Sequence, residues 1–424
     1  MADPLRVAAV GCGDHMVSRL LPSIQDASDA VLTAAVDTDP TATREVARDG
    51  VQAFHDTKSM AASGVADAAV IAVPHDALAD SALACIDAGL HVLVEKPLAR
   101  NRVEAESVAT AARERGVVVM PGYCLRFHAA RTHLRDLLAR GLTGEIVSIV
   151  ALKGGPPLQG WLAEPARGGG QLAFVGSHLV DQVLWLHRAR VVSVSARVVD
   201  RGDTGSDETS SILMTFDDGV TAALVVSQAS PAHADVIDLV GRAGRLRSDV
   251  FEATVEVNAT ASRTFDRPAT LHHFGDAWQA MFDGEIAEFV RVVRQRTAPV
   301  VTSLDAIRTL AVLDAVREAA ESGGSVEVDD PWDGRGGRAV SRRGPARMRL
   351  QLTYPADKIQ SPIVNELARR FDLRLDIRRA DIDGGIGWVQ LLVEGEHDEV
   401  DAAVEWTEAQ GIRVDPVEGE IVGG

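Results

Sequence analysis

The sequence predicts an α/β protein in three parts. The first is a doubly wound parallel sheet, the second an α+β domain on a large, mostly antiparallel sheet, and the third a small βαββαβ module. Three observations carry this. Over the first 120 residues short runs rich in Val and Ala alternate with helical patterns, as strands buried on both faces require. From about Tyr123 apolar and polar residues alternate singly, the mark of half-buried antiparallel strands. Beyond a stretch rich in Pro, Gly and Arg, the pattern restarts near residue 347.

Taken in order, buried strands are expected at 5–10, 31–36, 68–73, 91–94 and 117–120, with helices such as 80–88 and 102–115 between them. That alternation makes residues 1–122 a Rossmann domain. Residues 123–328 form a substrate and oligomerisation domain, with strands such as 145–152, 191–199, 210–216 and 220–227. Asp217-Asp218-Gly219 turns the last two into a hairpin, because glycine tolerates positive φ. Amphipathic helices at 278–294 and 303–320 close this domain. Residues 329–346 read as an Arg/Gly-rich linker: Arg335, Arg338, Arg342 and Arg343 give a solvated tether, or a docking strip for an acidic partner. In residues 347–424 strands are expected at 348–353, 373–382, 388–394 and 412–416 and helices at 363–371 and 399–409. Gly384-Gly385 joins the middle strands, and the order βαββαβ is ferredoxin-like.

Composition narrows the function classes. The chain has 424 residues, room for about three domains of roughly 150 residues. Hydrophobic residues make up 46% and charged residues 25%, a globular rather than a disordered balance. A net charge of −18 argues against a nucleic-acid partner. Cys12, Cys85 and Cys124 lie far apart with no Cys-x-x-Cys pair, so neither a disulfide framework nor a metal site is expected. No apolar run reaches the roughly 18 residues of a membrane helix, and the first residues lack a signal-peptide pattern. A cytoplasmic protein without a membrane partner is the expectation.

Gly11-Cys12-Gly13 follows the first strand and opens a helix, where backbone N–H groups, with Asp14 and His15 next, can approach a pyrophosphate. Met16 replaces the third glycine of the fingerprint, so the loop alone is also compatible with an ordinary turn. Its context favours a dinucleotide. Asp37 ends the second strand, where an acid binds a ribose 2′-hydroxyl, and no arginine follows at 38 or 39. NAD is therefore expected over NADP. Glu95-Lys96-Pro97 ends a strand at the carboxyl edge of the sheet, where a lysine can hold a substrate oxygen or simply face solvent. His178 and Asp181, three apart, share one helix face. A histidine there is either the proton acceptor for an alcohol or a core residue capped by a carboxylate.

These segments together resemble the Gfo/Idh/MocA oxidoreductases over residues 5 to about 328. The resemblance includes Gly11-x-Gly13, Ala88-Gly-x-His-Val with Glu95-Lys96-Pro97, and Gly122-Tyr123-x-x-Arg126-Phe127. It continues through Gly144-Glu145-Ile146 and Gly168-Gly-Gly170 followed by Gly176-x-His178-x-x-Asp181. It implies hydride transfer between a nicotinamide and a carbinol or carbonyl carbon of a small hydroxy compound. Lys96 would polarise the reacting oxygen, His178 would take the hydroxyl proton, and Asp181 would orient His178 or bind substrate. The loop at Val73-Pro74 joins the cofactor set. Tyr123 and Arg126 face the substrate, Arg126 as an anion fork or as an internal ion pair. Two departures stand out. Phe174 occupies the place of an aspartate common four residues before the histidine, and Leu78 that of a histidine common four residues past the loop proline, with His75 instead.

Residues 347–423 resemble the NIL domain, from Arg349-Leu-Gln-Leu-Thr-Tyr-Pro through Pro362-Ile-Val-Asn-Glu-Leu-Ala to Gly-Trp388-Val-Gln-Leu-Leu-Val. This resemblance implies a methionine-like effector, and with it a place in sulfur or aspartate-family amino-acid metabolism, homocysteine formation included. Two other readings stay open: a weakened, regulatory dinucleotide- and amino-acid-binding protein, and a sugar or polyol dehydrogenase with a structural tail. An open apolar sheet face points to a homodimer or homotetramer.

Overall fold

The computed structural model describes residues 3–48, 50–200, 206–259, 262–266, 274–332, 345–355, 358–383 and 386–416. The basic stretch from 333 to 344 and Gly384-Gly385 lie outside them. Contacts divide the chain into two compact units, Met1–Leu134 with Ile146–Gly337, and Arg135–Glu145 with Arg338–Gly424.

In the first unit, β1 (Leu5–Val10) exposes only Arg6, so it can lie only at the centre of a sheet covered on both faces. It is joined by β2 (Ala30–Val36), β3 (Gln52–Phe54), β4 (Ala68–Ile71), β5 (His91–Glu95) and β6 (Val119–Gly122), all parallel, in the order β3-β2-β1-β4-β5-β6. The helices are α1 (Leu21–Asp26), which continues a π-helical turn at Met16–Leu20, then α2 (Pro40–Val46), α3 (Thr57–Ala62), α4 (His75–Asp87) and α5 (Arg102–Arg115). The strand order reverses between β1 and β4, which places the ligand crevice beside Gly11 and Val73. Among the expected boundaries that move, two have a clear cause. α4 starts five residues early, directly behind Pro74, whose fixed φ suits a helix entry. β6 starts two residues late: Gly116 closes α5 at φ 66°, and Val117 and Val118 bond to Ala112 and His91.

The chain continues with α6 (Ala129–Ala139), whose residues up to Leu134 belong to this unit, and the unit then adds β7 (Ile146–Gly154), α7 (Ser177–Leu186), β8 (Val191–Val199), β9 (Thr209–Phe216) and β10 (Thr221–Ser227). It ends with β11 (Ala234–Gly241), β12 (Gly244–Asp249), β13 (Thr254–Ala259), β14 (Ser262–Asp266), α8 (Phe274–Gln295), α9 (Ser303–Ser322) and β15 (Ser325–Glu327). Nine strands run in the order β14-β13-β12-β11-β7-β10-β9-β8-β15, and β7 pairs β10 in parallel within an otherwise antiparallel sheet. Gly219 makes the expected hairpin turn at φ 86°. β11 to β14 escape a reading by apolar alternation because charged residues interrupt them; Asp238 on β11 pairs with Arg245 on β12. Along β7 the inward face carries Ile149, Ala151 and Lys153 while Val150 and Leu152 look outward. Asp329 and Asp330, placed by composition in the tether, are both ion-paired, to Arg102 at 2.7 Å and to the buried Arg308 at 2.8 Å.

The second unit contains β16 (Pro345–Tyr354), α10 (Ile363–Arg370), β17 (Arg374–Asp383), β18 (Ile386–Glu396), α11 (His397–Ala409) and β19 (Arg413–Pro416). Its strands are antiparallel in the order β17-β18-β16-β19, the expected ferredoxin-like arrangement. The core is aliphatic, built on Leu350, Leu352, Leu367, Leu391, Val393 and Val404. No described helix is long and apolar enough to cross a membrane.

Candidate active site

The turn after β1 is shaped for close approach. Gly11 sits at φ 84°, and a Cβ there would lie 2.3 Å from the Ala72 carbonyl oxygen and 2.9 Å from Val73, so only glycine fits. Gly13 is exposed, with nothing within 4 Å of a built Cβ, and Asp14 and His15 beside it are exposed too. Met16 is fully buried, so the helix packs by a side chain where a third glycine would permit backbone contact. Asp37 accepts the Cys12 N–H at 2.7 Å and the Asp39 N–H at 2.8 Å, which fixes its carboxylate beside the turn. Val73 and Pro74 are half-buried on the far side of the crevice. A cradle that one methyl group would fill, with a carboxylate at its rim, fits a dinucleotide.

His15 Nε2 meets Glu95 Oε1 at 2.8 Å, so the turn and the end of β5 are tied together. Burial works to raise the Glu95 carboxyl, but His15 and Lys96 outweigh it and hold the group below its ordinary value. Lys96, buried, donates from Nζ to the Phe174 backbone carbonyl at 2.9 Å, and its ammonium lies 4.2 Å from the centre of the Phe174 ring. Burial, with help from Lys153 and against Glu95, lowers Lys96 to about 8. Phe174 thus provides a carbonyl and a ring face for Lys96 and no carboxylate for the histidine.

The Gly168–Gly170 loop brings the second domain's residues here. A Cβ on Gly170 would collide with the Asp207 carboxylate, whose Oδ2 accepts the Leu172 N–H at 2.8 Å and so starts the turn leading into α7. His178 stands one residue into α7, edge-on to the Tyr123 ring at 6.2 Å. Its Nδ1 is buried without a hydrogen-bond partner, and burial, then Lys96 and Lys153, push its pKa well below the ordinary value. Burial thus favours the neutral imidazole, and among the described residues no carboxylate bonds to its Nδ1. His75 bonds from Nδ1 to the Gly168 carbonyl oxygen at 2.6 Å and packs edge-on against Trp161 at 5.0 Å; burial, then Lys96, lower it to about 3.

One expected role needs correction, and one open choice is decided. Asp181 neither orients His178 nor faces substrate, because Arg126 takes both of its oxygens, through Nε at 3.0 Å and Nη2 at 2.5 Å. Nor is Arg126 an anion fork for substrate: Nη2 also meets Asp305 at 3.1 Å, Nη1 the Val300 carbonyl at 3.2 Å, and the side chain is 2% exposed. Burial works against its charge, and Asp181 and Asp305 more than restore it. Sequence reasoning also passed over Trp161, the buried Glu285 and Lys153. Glu285 has no patterned partner in sequence, and burial followed by Glu95 raises its carboxyl well above the ordinary value. The usable signal for Lys153 was a single lysine at an inward-facing position of an alternating strand.

A doubly wound nucleotide sheet with a buried lysine at its carboxyl edge, followed by a second α+β domain, defines an NAD(P)-dependent oxidoreductase, a dehydrogenase or reductase. This chain belongs to the Gfo/Idh/MocA family. Residues 5–123 match the oxidoreductase family's NAD-binding Rossmann fold, 132–247 the GFO/IDH/MocA C-terminal domain, and 348–416 the NIL domain. The dTDP-3,4-didehydro-2,6-dideoxy-alpha-D-glucose 3-reductase of Actinomadura kijaniata is 28% identical over 75% of this chain and 96% of its own. A putative UDP-kanosamine synthase oxidoreductase subunit of Amycolatopsis mediterranei is 30% identical over 57% and 74%. Among solved structures, levoglucosan dehydrogenase in complex with NADH and levoglucosan superposes with a TM-score of 0.70 at 17% identity, over 77% of this chain and all of that one, a likeness of fold.

Proposed function

We propose that the protein transfers hydride between NAD and a carbinol or carbonyl carbon of a small hydroxy compound. The observation that carries this is a buried ammonium, Lys96, held at the carboxyl edge of the sheet beside a neutral histidine, His178. Bound nicotinamide would supply the hydride acceptor or donor. In the oxidation direction Lys96 holds the substrate oxygen and His178 takes the hydroxyl proton; in reduction both steps reverse. Arg126 and Asp181 act behind them by fixing the start of α7 against the Tyr123–Phe127 segment. The aromatic wall of His75, Trp161 and Phe174 suits a substrate less hydroxyl-rich than a polyol.

Gly11, Gly13, Asp14, His15, Asp37, Val73, Pro74, Glu95 and Lys96 form the cofactor set in this reading, and Asp37 selects NAD over NADP. The test is titration of cofactor-free protein with NADH and NADPH, followed by nicotinamide fluorescence. Tighter NADH binding supports the selection, NADPH preference discards Asp37 as selector, and no binding of either removes the oxidoreductase reading.

The NIL domain match supports a methionine-like effector and a place in sulfur or aspartate-family amino-acid metabolism, homocysteine formation included. Methionine should then raise the melting temperature or change the rate of the full chain. The outward faces of β7, β9 and β10 expose Val150, Leu152, Leu213 and Val225, which supports burial against a second copy in a homodimer or homotetramer. Three buried free thiols suit the cytoplasm. A second reading, a regulatory dinucleotide-binding protein, draws on the unpartnered His178 Nδ1. Biological activity that survives Lys96→Met would favour it.

A further inference from the structure

The inward face of β7 ends in a charge that the reaction above does not use. Lys153 is 7% exposed, and its Nζ bonds to Asp235 Oδ2, its register partner on β11. The other oxygen of Asp235 is already held by Arg131, which is fully buried and also donates to Gln182 and to the Ser248 carbonyl. Two cations therefore share one carboxylate, and the group carries a surplus of one positive charge in the interior. That surplus lies next to the reaction site: Gln182, which accepts from Arg131, donates in turn to the His178 backbone carbonyl at 3.2 Å, and the charge of Lys153 helps lower both Lys96 and His178. Of the neighbouring acids, Glu95 is held by His15, burial raises the Glu285 carboxyl well above its ordinary value, and the half-buried Asp249, which acts on Arg131, is capped by the Phe251 and Glu252 N–H groups.

We propose that Lys153, backed by the Arg131–Asp235 pair, binds a carboxylate of the substrate at the end remote from the carbon held by Lys96. This rests on the oxidoreductase reading, which fixes the reacting end. A carboxylate fits better than a phosphate group. The surplus is a single charge, and a lone ammonium with one donor already committed to Asp235 offers two more N–H groups, too few for a dianion's oxygens. The substrate is accordingly a hydroxy or oxo acid whose remaining body packs against Trp161 and His75.

The test uses the full chain loaded with NADH and three matched pairs of probes: D-gluconate with sorbitol, D-glucuronate with D-glucose, and 4-oxopentanoate with 2-pentanone. Binding is read by calorimetry and by Trp fluorescence. At least one acid should bind about tenfold or more tighter than its neutral partner, as a charge-assisted hydrogen bond predicts. Added salt should shrink the preference. Lys153→Gln should bring the two members of the pair within about twofold of each other, and Lys153→Arg should retain the preference. No acid preferred over its partner, no acid bound at all, or a preference that survives Lys153→Gln overturns the proposal. The wild-type comparison decides the matter even where Lys153→Gln does not fold. Intact NADH binding without acid preference refutes only the carboxylate site, whereas loss of NADH binding refutes the oxidoreductase reading beneath it.

Discussion

Asp181→Asn keeps the size of the side chain and removes the charge that Arg126 faces most closely. Arg126 makes two contacts to Asp181, at 3.0 and 2.5 Å, one to Asp305 at 3.1 Å and one to the Val300 carbonyl at 3.2 Å. Asparagine can preserve one of the first two, but its amide N–H₂ then points a donor at a guanidinium donor. Removing one partner of a buried ion pair costs about 3–5 kcal/mol, and because Asp305 stays in place the lower figure, about 3 kcal/mol, applies. At about 2 °C per kcal/mol for a large folding unit, the melting temperature should fall by about 6 °C. The assay is thermal unfolding of the full chain beside the rate of NADH formation, measured well below both melting temperatures. The folded variant should keep kcat/KM within about threefold of wild type, since Asp181 touches neither the reacting oxygen nor His178. An unchanged melting temperature with kcat/KM lowered a hundredfold or more would show Asp181 acting in proton transfer and would refute the ion-pair assignment.

Lys96 polarises an oxygen only as the ammonium, which burial and Lys153 let go at about pH 8. The charged form prevails below that value, so kcat/KM should fall as pH rises through it; a profile flat to pH 10 contradicts the role. Gly11→Ala drives a methyl group to within 2.3 Å of the Ala72 carbonyl and strains a positive φ, at a cost of about 1–2 kcal/mol or more. NADH should bind at least about tenfold more weakly by fluorescence titration. Gly13→Ala meets nothing within 4 Å, and its melting temperature should stay near that of wild type.

The sequence was most legible where one physical constraint acts alone. Strands covered on both faces cannot be polar, so β1, β4 and β5 stand out as apolar runs, and Gly11 marks a backbone too close for a Cβ. The lysine and histidine of the site were legible as a family pattern. Partner choice was not. Arg126 could equally have met a substrate or Asp181, because the fold, through Asp305 at the cap of α9, decides which carboxylates reach it. β11 and β12 were obscured for the same reason, since Asp238 and Arg245 break the apolar alternation until cross-strand pairing gives them each other. Lys153, too, looks like any strand lysine until the register sets it beside Asp235.

The strict alternation of β7 bears on how this chain can change length over evolutionary time. Inserting or deleting one residue between Ser148 and Leu152 would invert the strand beyond that point: Lys153 would turn out into solvent, and an aliphatic neighbour would stand opposite Asp235. Asp235 would keep only Arg131. Because β7 is hydrogen-bonded on both sides, to β10 and to β11, the slip could not be absorbed at an edge. Viable indels in this segment should therefore come in pairs of residues or be displaced into the loop beyond Gly154, a restriction that falls far more lightly on the outer strands β14 and β15.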